Sequence, residues 1–363
     1  MEESRSMSAV SHAETPPPDV DAATPRKGLL RGGVRTATGL ILAGLVLLLL
    51  VALSLAIGSK SVPLSDVWHA LFDPTGSPSE DVIRQLRVPR TALAVLVGAA
   101  LALAGALMQA LSRNPLADPG LLGVNAGASL GVVLAIAVFG VTSLGGYVWF
   151  SIGGAAIATV AVYALGSVGR AGVSPVRMVL AGAAIAAVAG GFTSAVVLTD
   201  LAVFNGIRSW SVGSLAGRDA SVLLQVAPFI LVGVVATLLM AGPLNALGLG
   251  DDTARALGAK VELIRIWGVV AVTLLAGAAT AAVGPIVFLG LVIPHLARTF
   301  TGPNYRWILP YCLILGPILI LASDIVGRIV VRPAELEVAV VLALIGAPVF
   351  IAIARRPRLS ELS

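Results

Sequence analysis

Of the chain's 363 residues, 57% are hydrophobic and only 12% carry charge, against roughly 25% charged in an ordinary soluble chain. A water-soluble core cannot absorb that apolar excess, and one cysteine with three scattered histidines leaves neither an intramolecular disulfide nor a spacing that suits a metal. The net charge of +5 is not a nucleic-acid signature, because the arginines stand at the ends of apolar blocks rather than on one face.

Taken in chain order, residues 1–36 read as a cytoplasmic tail. Its first part is polar, contains Pro16, Pro17 and Pro18, and lacks any apolar period, so it is expected to be disordered. Apolar blocks follow at about 37–57, 91–111, 120–139, 147–168, 176–198, 221–241, 263–283, 284–300, 307–328 and 336–354. Most approach the roughly 20 residues that a helix needs to cross hydrocarbon. None alternates with period two, which sets aside a membrane β-barrel. The first block follows Arg26, Lys27, Arg31 and Arg35, and its length suits a membrane helix better than a removed signal. Gly284-Pro285 marks either a turn or a kink between the seventh and eighth blocks. Small residues such as Gly98-Ala99-Ala100 and Ala181-Gly182-Ala183-Ala184 let helices approach closely.

The expected fold is therefore an all-α polytopic membrane protein of about ten transmembrane helices. Its membrane domain spans 37–355, with a short cytoplasmic tail at 356–363. With the amino terminus inside, sixteen of the 24 basic residues fall in inner segments, so both termini are expected in the cytoplasm. Arg84, Arg87 and Arg90 depart from that rule by clustering on the outer side. They suit either the carboxylates of an acidic partner or lipid phosphate.

Two loops stand out beside Arg87-Val88-Pro89-Arg90. One is Asn114-Pro115-Leu116-Ala117-Asp118-Pro119-Gly120-Leu121-Leu122-Gly123. The other, inside a cytoplasmic loop at 242–262, is Leu247–Gly258. There Asp251 or Asp252 can cap a short helix closed by Gly258, and the loop serves either as a docking element or as a plain connection.

No G-x-x-x-x-G-K-[ST] occurs, so the chain binds no ATP by a P-loop. Asp200, Asp324, Glu335 and Glu337 stand near helix ends and only His295 approaches a span, whereas ion-coupled carriers use titratable groups at membrane depth. An external ATPase supplies the missing engine, and any metal arrives already chelated. An ion-coupled secondary transporter is the distant alternative. An intramembrane enzyme would need a paired nucleophile and base, and none is found.

These loops, together with Gly290-Leu291-Val292-Ile293-Pro294-His295, Ala322–Arg328 and Gly346-Ala347-Pro348-Val349-Phe350, resemble the FecCD-type permeases of type II ABC importers, which carry ferric siderophores, haem and cobalamin. The resemblance runs from about 37 to 355. It implies a permease that performs no chemistry, needs no cofactor, and moves ferric siderophore, or alternatively haem or cobalamin, across the inner (plasma) membrane by alternating access. The partners it implies are two cytoplasmic ATPase subunits, an extracytoplasmic substrate-binding protein, and a second permease copy or a paralogue. It further implies that Arg87, Arg90 and Arg328 receive acidic residues of the binding protein. Gly250, Asp251, Asp252, Thr253, Ala254, Arg255, Leu257 and Gly258 would form the coupling helix seated in a groove of the ATPase.

Overall fold

The computed structural model describes residues 29–30, 32–58, 62–73, 77–141, 143–167 and 175–355. The tail expectations for residues 1–28 and 356–363 lie outside the described residues. α1 runs Gly33–Ala56, so the first helix starts inside the stretch read as tail. Ahead of it, Leu29 and Leu30 donate their backbone N–H groups to Thr299 and Phe300 carbonyls. Two short helices that hydropathy did not announce follow, α2 (Leu64–Phe72) and α3 (Pro78–Asp81). A π-helical turn, Val82–Arg87, then feeds α4 (Val88–Ser112).

The Asn114–Gly123 segment folds as two consecutive turns of one kind. Asn114 Oδ1 accepts the Leu116 N–H at 2.9 Å and Asp118 Oδ1 accepts the Gly120 N–H at 2.8 Å. Each is an Asx turn with proline at its second position, and the second caps a 3₁₀ turn, Pro119–Leu122. α5 (Val124–Ala137), α6 (Leu144–Ser167) and α7 (Pro175–Thr199) come next. Asp200 closes the fifth span, its N–H on Val196 O, and also caps α8 (Leu201–Ser211) by accepting the Ala202 and Val203 N–H groups.

The second half comprises α9 (Ala220–Leu239), α10 (Ala241–Leu247), α11 (Asp251–Ala256), α12 (Val261–Val283), α13 (Leu289–Thr301), α14 (Tyr305–Val330) and α15 (Val338–Ala354). Ten of these helices, α1, α4–α7, α9 and α12–α15, occupy the places of the ten apolar blocks. Seven of the ten are long and apolar enough to cross a membrane among the described residues. Gly284-Pro285 proves to be a true break, since residues 284–288 are not helical and Gly284 takes φ +83°.

α4 is the centre of the bundle, with every residue from Val97 to Leu111 buried. Glycine makes this possible. At Gly105 an added Cβ would overlap the Gly290 carbonyl of α13, and at Gly98 it would stand 2.6 Å from the Pro317 backbone of α14. α5 and α6 meet the same way at Gly127 and Gly154. Close backbone approach of this kind gives dispersion contact along whole helix faces, which replaces the hydrophobic drive that lipid does not supply. The peripheral α1 and α7 turn Ile41, Leu42, Leu45, Leu180, Val188 and Phe192 outward.

Gly105→Ala should therefore cost about 1–3 kcal/mol by overpacking, read as a lower thermal unfolding midpoint of the purified protein. Gly44→Ala, on α1 with nothing within 4 Å of the new methyl, should leave the midpoint unchanged.

Candidate functional site: charge clusters at the two ends of α4

The 25 residues of α4 span about 37 Å at the helical rise per residue, and each end carries a charged cluster. The first cluster forms where α1 stops. α1 has no basic residue in its last turn, so its final carbonyls need donors from elsewhere. Guanidinium groups supply them. Arg328 Nη1 donates to Ser54 O (3.0 Å) and Ile57 O (2.7 Å). Arg87 Nη1 donates to Leu55 O (2.7 Å) and Ala56 O (2.8 Å). Arg332 donates to Gly58 O at 3.0 Å. Five consecutive carbonyls at the negative end of a helix thus receive cations, the arrangement that the helix dipole favours. Arg84 does the same for α2, donating to Ala70 O and Leu71 O.

Acids complete this cluster. Asp324 lies between two arginines, its Oδ1 2.7 Å from Arg90 Nη2 and its Oδ2 2.8 Å from Arg328 Nη2. Arg90 also pairs with Glu335 at 2.7 Å. Ser54 Oγ accepts from Arg328 and meets the Thr91 hydroxyl at 2.8 Å. Of the three arginines singled out for docking, Arg87 (7% exposed) and Arg328 (2%) are turned inward. Arg90 keeps 15% of its side chain exposed, beside the half-exposed Glu335. The bare end of α1 draws Arg87 and Arg328 into the protein. Asp324 is held by two cations.

The second cluster surrounds α11. Gly250, with φ +99°, stands at its N-cap, and Asp251 and Asp252 are the first two helical residues, so neither aspartate caps the helix. Gly258 does close it. Its φ is +83°, its N–H reaches Arg255 O, and the Ala259 N–H reaches Ala254 O, which together make a Schellman motif. The predicted coupling residues then divide by direction. Ala254 is fully buried and Asp251 faces the bundle, where it meets Arg265 at 2.8 Å and Arg113 at 3.4 Å. Asp252, Thr253 and Leu257 face outward. Arg255 bridges Asp252 and Glu262 at the surface, and the Glu262 hydrogen bond raises its guanidinium pKa above the ordinary value.

Other polar groups in the bundle were invisible to sequence reasoning. Pro285 and Pro294 lack an N–H and so leave the carbonyls four residues earlier, Ala281 and Gly290, without their helical donors. Trp210 Nε1 donates to Ala281 O at 3.1 Å. Gln109 Nε2 donates to Gly290 O (3.4 Å) and Leu291 O (3.2 Å), while its Oε1 accepts from Arg298. Arg298 reaches Tyr305 in turn at 3.1 Å. The one available signal was the orphaned carbonyl itself, four residues before each proline.

Comparison with known proteins agrees with this architecture. The model of the FecCD transport family matches residues 46–356. The ferric enterobactin transport system permease protein FepD of Escherichia coli (strain K12) is 46% identical over 329 residues, covering 90% of this chain and 98% of that protein. The hemin transport system permease protein HmuU of Yersinia pestis is 38% identical over 329 residues, covering 88% and 96%. A solved structure described as a metal-chelate type ABC transporter in an inward-facing conformation superposes with a TM-score of 0.76 at 30% identity, covering 88% of this chain and 99% of that one. Matched over nearly its whole membrane domain, the chain belongs to the FecCD transport family and is a permease subunit of an ATP-binding-cassette importer.

Proposed function

We propose that this permease carries a ferric siderophore across the inner membrane by alternating access. The observation that carries the reading is the end-to-end similarity, at 46% identity, to a permease named for ferric enterobactin. Haem is the second reading, supported by the 38% identity to a hemin permease. Uptake of radioactive iron, supplied as catecholate and hydroxamate siderophores, as citrate and as haem, separates the two in cells with and without the chain. Loss confined to a siderophore is expected. Loss confined to haem would replace the cargo, and undiminished uptake of every form would remove iron from the proposal.

Both termini lie in the cytoplasm on this reading. The α11 end then faces two separate ATPase subunits, and the Arg90 end faces an extracytoplasmic binding protein. A second permease, a copy or a paralogue, completes the pathway. Among the three docking arginines, Arg90 keeps the most exposed side chain, so an incoming carboxylate meets it first. Arg87 and Arg328 hold the end of α1 beneath it. Arg90→Gln should weaken binding of the binding protein to the assembled transporter about ten-fold, equal to about 1.4 kcal/mol. Arg87→Gln should instead lower the thermal midpoint. Equal docking by the Arg90 variant and the parent would refute the docking role.

The outward side of α11 offers Asp252, Thr253 and Leu257 to the ATPase. Leu257→Glu and Asp252→Arg together should abolish copurification of the ATPase while the permease still folds. Undisturbed copurification would make the loop an ordinary connection.

A further inference from the structure

α11 is bounded by two glycines in left-handed backbone, Gly250 (φ +99°) and Gly258 (φ +83°). Glycine adopts these conformations without the penalty that a Cβ would bring. Side chains then tie the helix to its neighbours. At its surface, Arg255 reaches Glu262 of α12 at 2.8 Å, with both side chains about half exposed or more. Exposed pairs of that kind contribute little. Facing the other way, Asp251 meets two different helices. Its Oδ2 accepts from Arg265 of α12, whose side chain is 10% exposed, and its Oδ1 lies 3.4 Å from Arg113 at the end of α4. Among the described residues this is the one ion pair that joins α11 to α4. α4 is also the most buried helix in the bundle, pressed against α13 and α14 at Gly105 and Gly98.

The neighbouring short helix has a separate tie. Asn245 at the end of α10 accepts the Tyr305 N–H and donates to Asn304 Oδ1, both at 2.9 Å, and so holds the start of α14. The cytoplasmic loop is thus fixed to α14 through Asn245, and to α4 and α12 through Asp251.

We infer that Asp251 is a positioning residue for energy coupling: it does not contact the ATPase but transfers the displacement of α11 to α4 and α12 through Arg113 and Arg265. The inference rests on the reading of α11 as the element that docks the ATPase. Asp251 is hydrogen-bonded to Arg265 and faces Arg113 across 3.4 Å as an ionic contact, and a neutral amide would lose the charge that attracts both arginines.

The test uses the complete transporter in proteoliposomes, with ATPase subunits and binding protein present, and reads three quantities: ATPase copurification, ATP hydrolysis, and cargo moved per ATP. Asp251→Asn should leave copurification and hydrolysis near the parent's values and lower cargo per ATP about ten-fold, within the usual range for a coupling free energy. Asp251→Glu should recover most of the loss, which a general packing defect would not. Arg113→Gln, on the more exposed partner, should lower the ratio about three-fold and carries the test if Asp251→Asn fails to accumulate. Unchanged cargo per ATP in these variants overturns the inference, as does a loss that merely follows loss of the bound ATPase. Failure of the underlying reading is distinguishable, because the outward pair Leu257→Glu and Asp252→Arg would then leave the ATPase bound.

Discussion

A backbone carbonyl without a donor cannot be left in hydrocarbon, where no water replaces the missing bond and the cost is several kcal/mol. This protein creates such carbonyls wherever a helix stops or breaks inside the bundle, and most of its notable side chains answer that need. Trp210 serves the carbonyl orphaned by Pro285, and Gln109 the one orphaned by Pro294. Arg87, Arg328 and Arg332 serve the bare end of α1. Leu29 and Leu30 serve the end of α13 with their own N–H groups.

The same requirement explains the arginines on the side where the orientation rule prefers few. Three guanidiniums meeting five consecutive carbonyls would form an expensive concentration of positive charge if nothing balanced it. Asp324, 1% exposed between Arg90 and Arg328, supplies the balance within the bundle, and Glu335 supplies it at the rim. Charge at this end therefore has two layers. The inner layer closes α1 against α14, and the outer layer, Arg90 with Glu335, is the more exposed of the two.

How much of this was legible in the sequence follows from the range of each interaction. The membrane helices were legible because hydropathy is a local property, summed over about 20 residues, and even the Gly284-Pro285 boundary was marked by its own residues. α2 and α8 were not, since nine and eleven residues with mixed polarity do not stand out from a loop. The arginine cluster was visible as charge, and the Asp324–Arg328 pair was legible from its four-residue spacing, but the partners from distant segments were not. Arg328 and Ser54 are 274 positions apart, and Gln109 and Leu291 are 182 apart, so nothing in the local pattern joins them. In the coupling segment the helix and its closing Gly258 could be read from capping chemistry. That Asp251 turns in while Asp252 turns out could not, because adjacent residues on one helical turn differ only in what the tertiary fold places beside them.

These separations bear on how a permease without an engine of its own can work. Its two functional ends are about 37 Å apart along α4 by helical rise, and what joins them is neither a chain of polar contacts nor a flexible strap. It is a helix whose middle is packed at glycine against α13 and α14, so it cannot shear against them without lifting a backbone out of contact. A displacement delivered at one end is therefore shared by three helices at once. At its two ends α4 carries ion pairs, Arg90 with Asp324 and Glu335, and Arg113 beside Asp251. The division of labour between a rigid, apolar centre and ionic grips at the surfaces follows from the solvent. Ion pairs are costly in hydrocarbon and exchangeable near water, whereas close-packed small residues are stable in hydrocarbon and offer a partner nothing to grip.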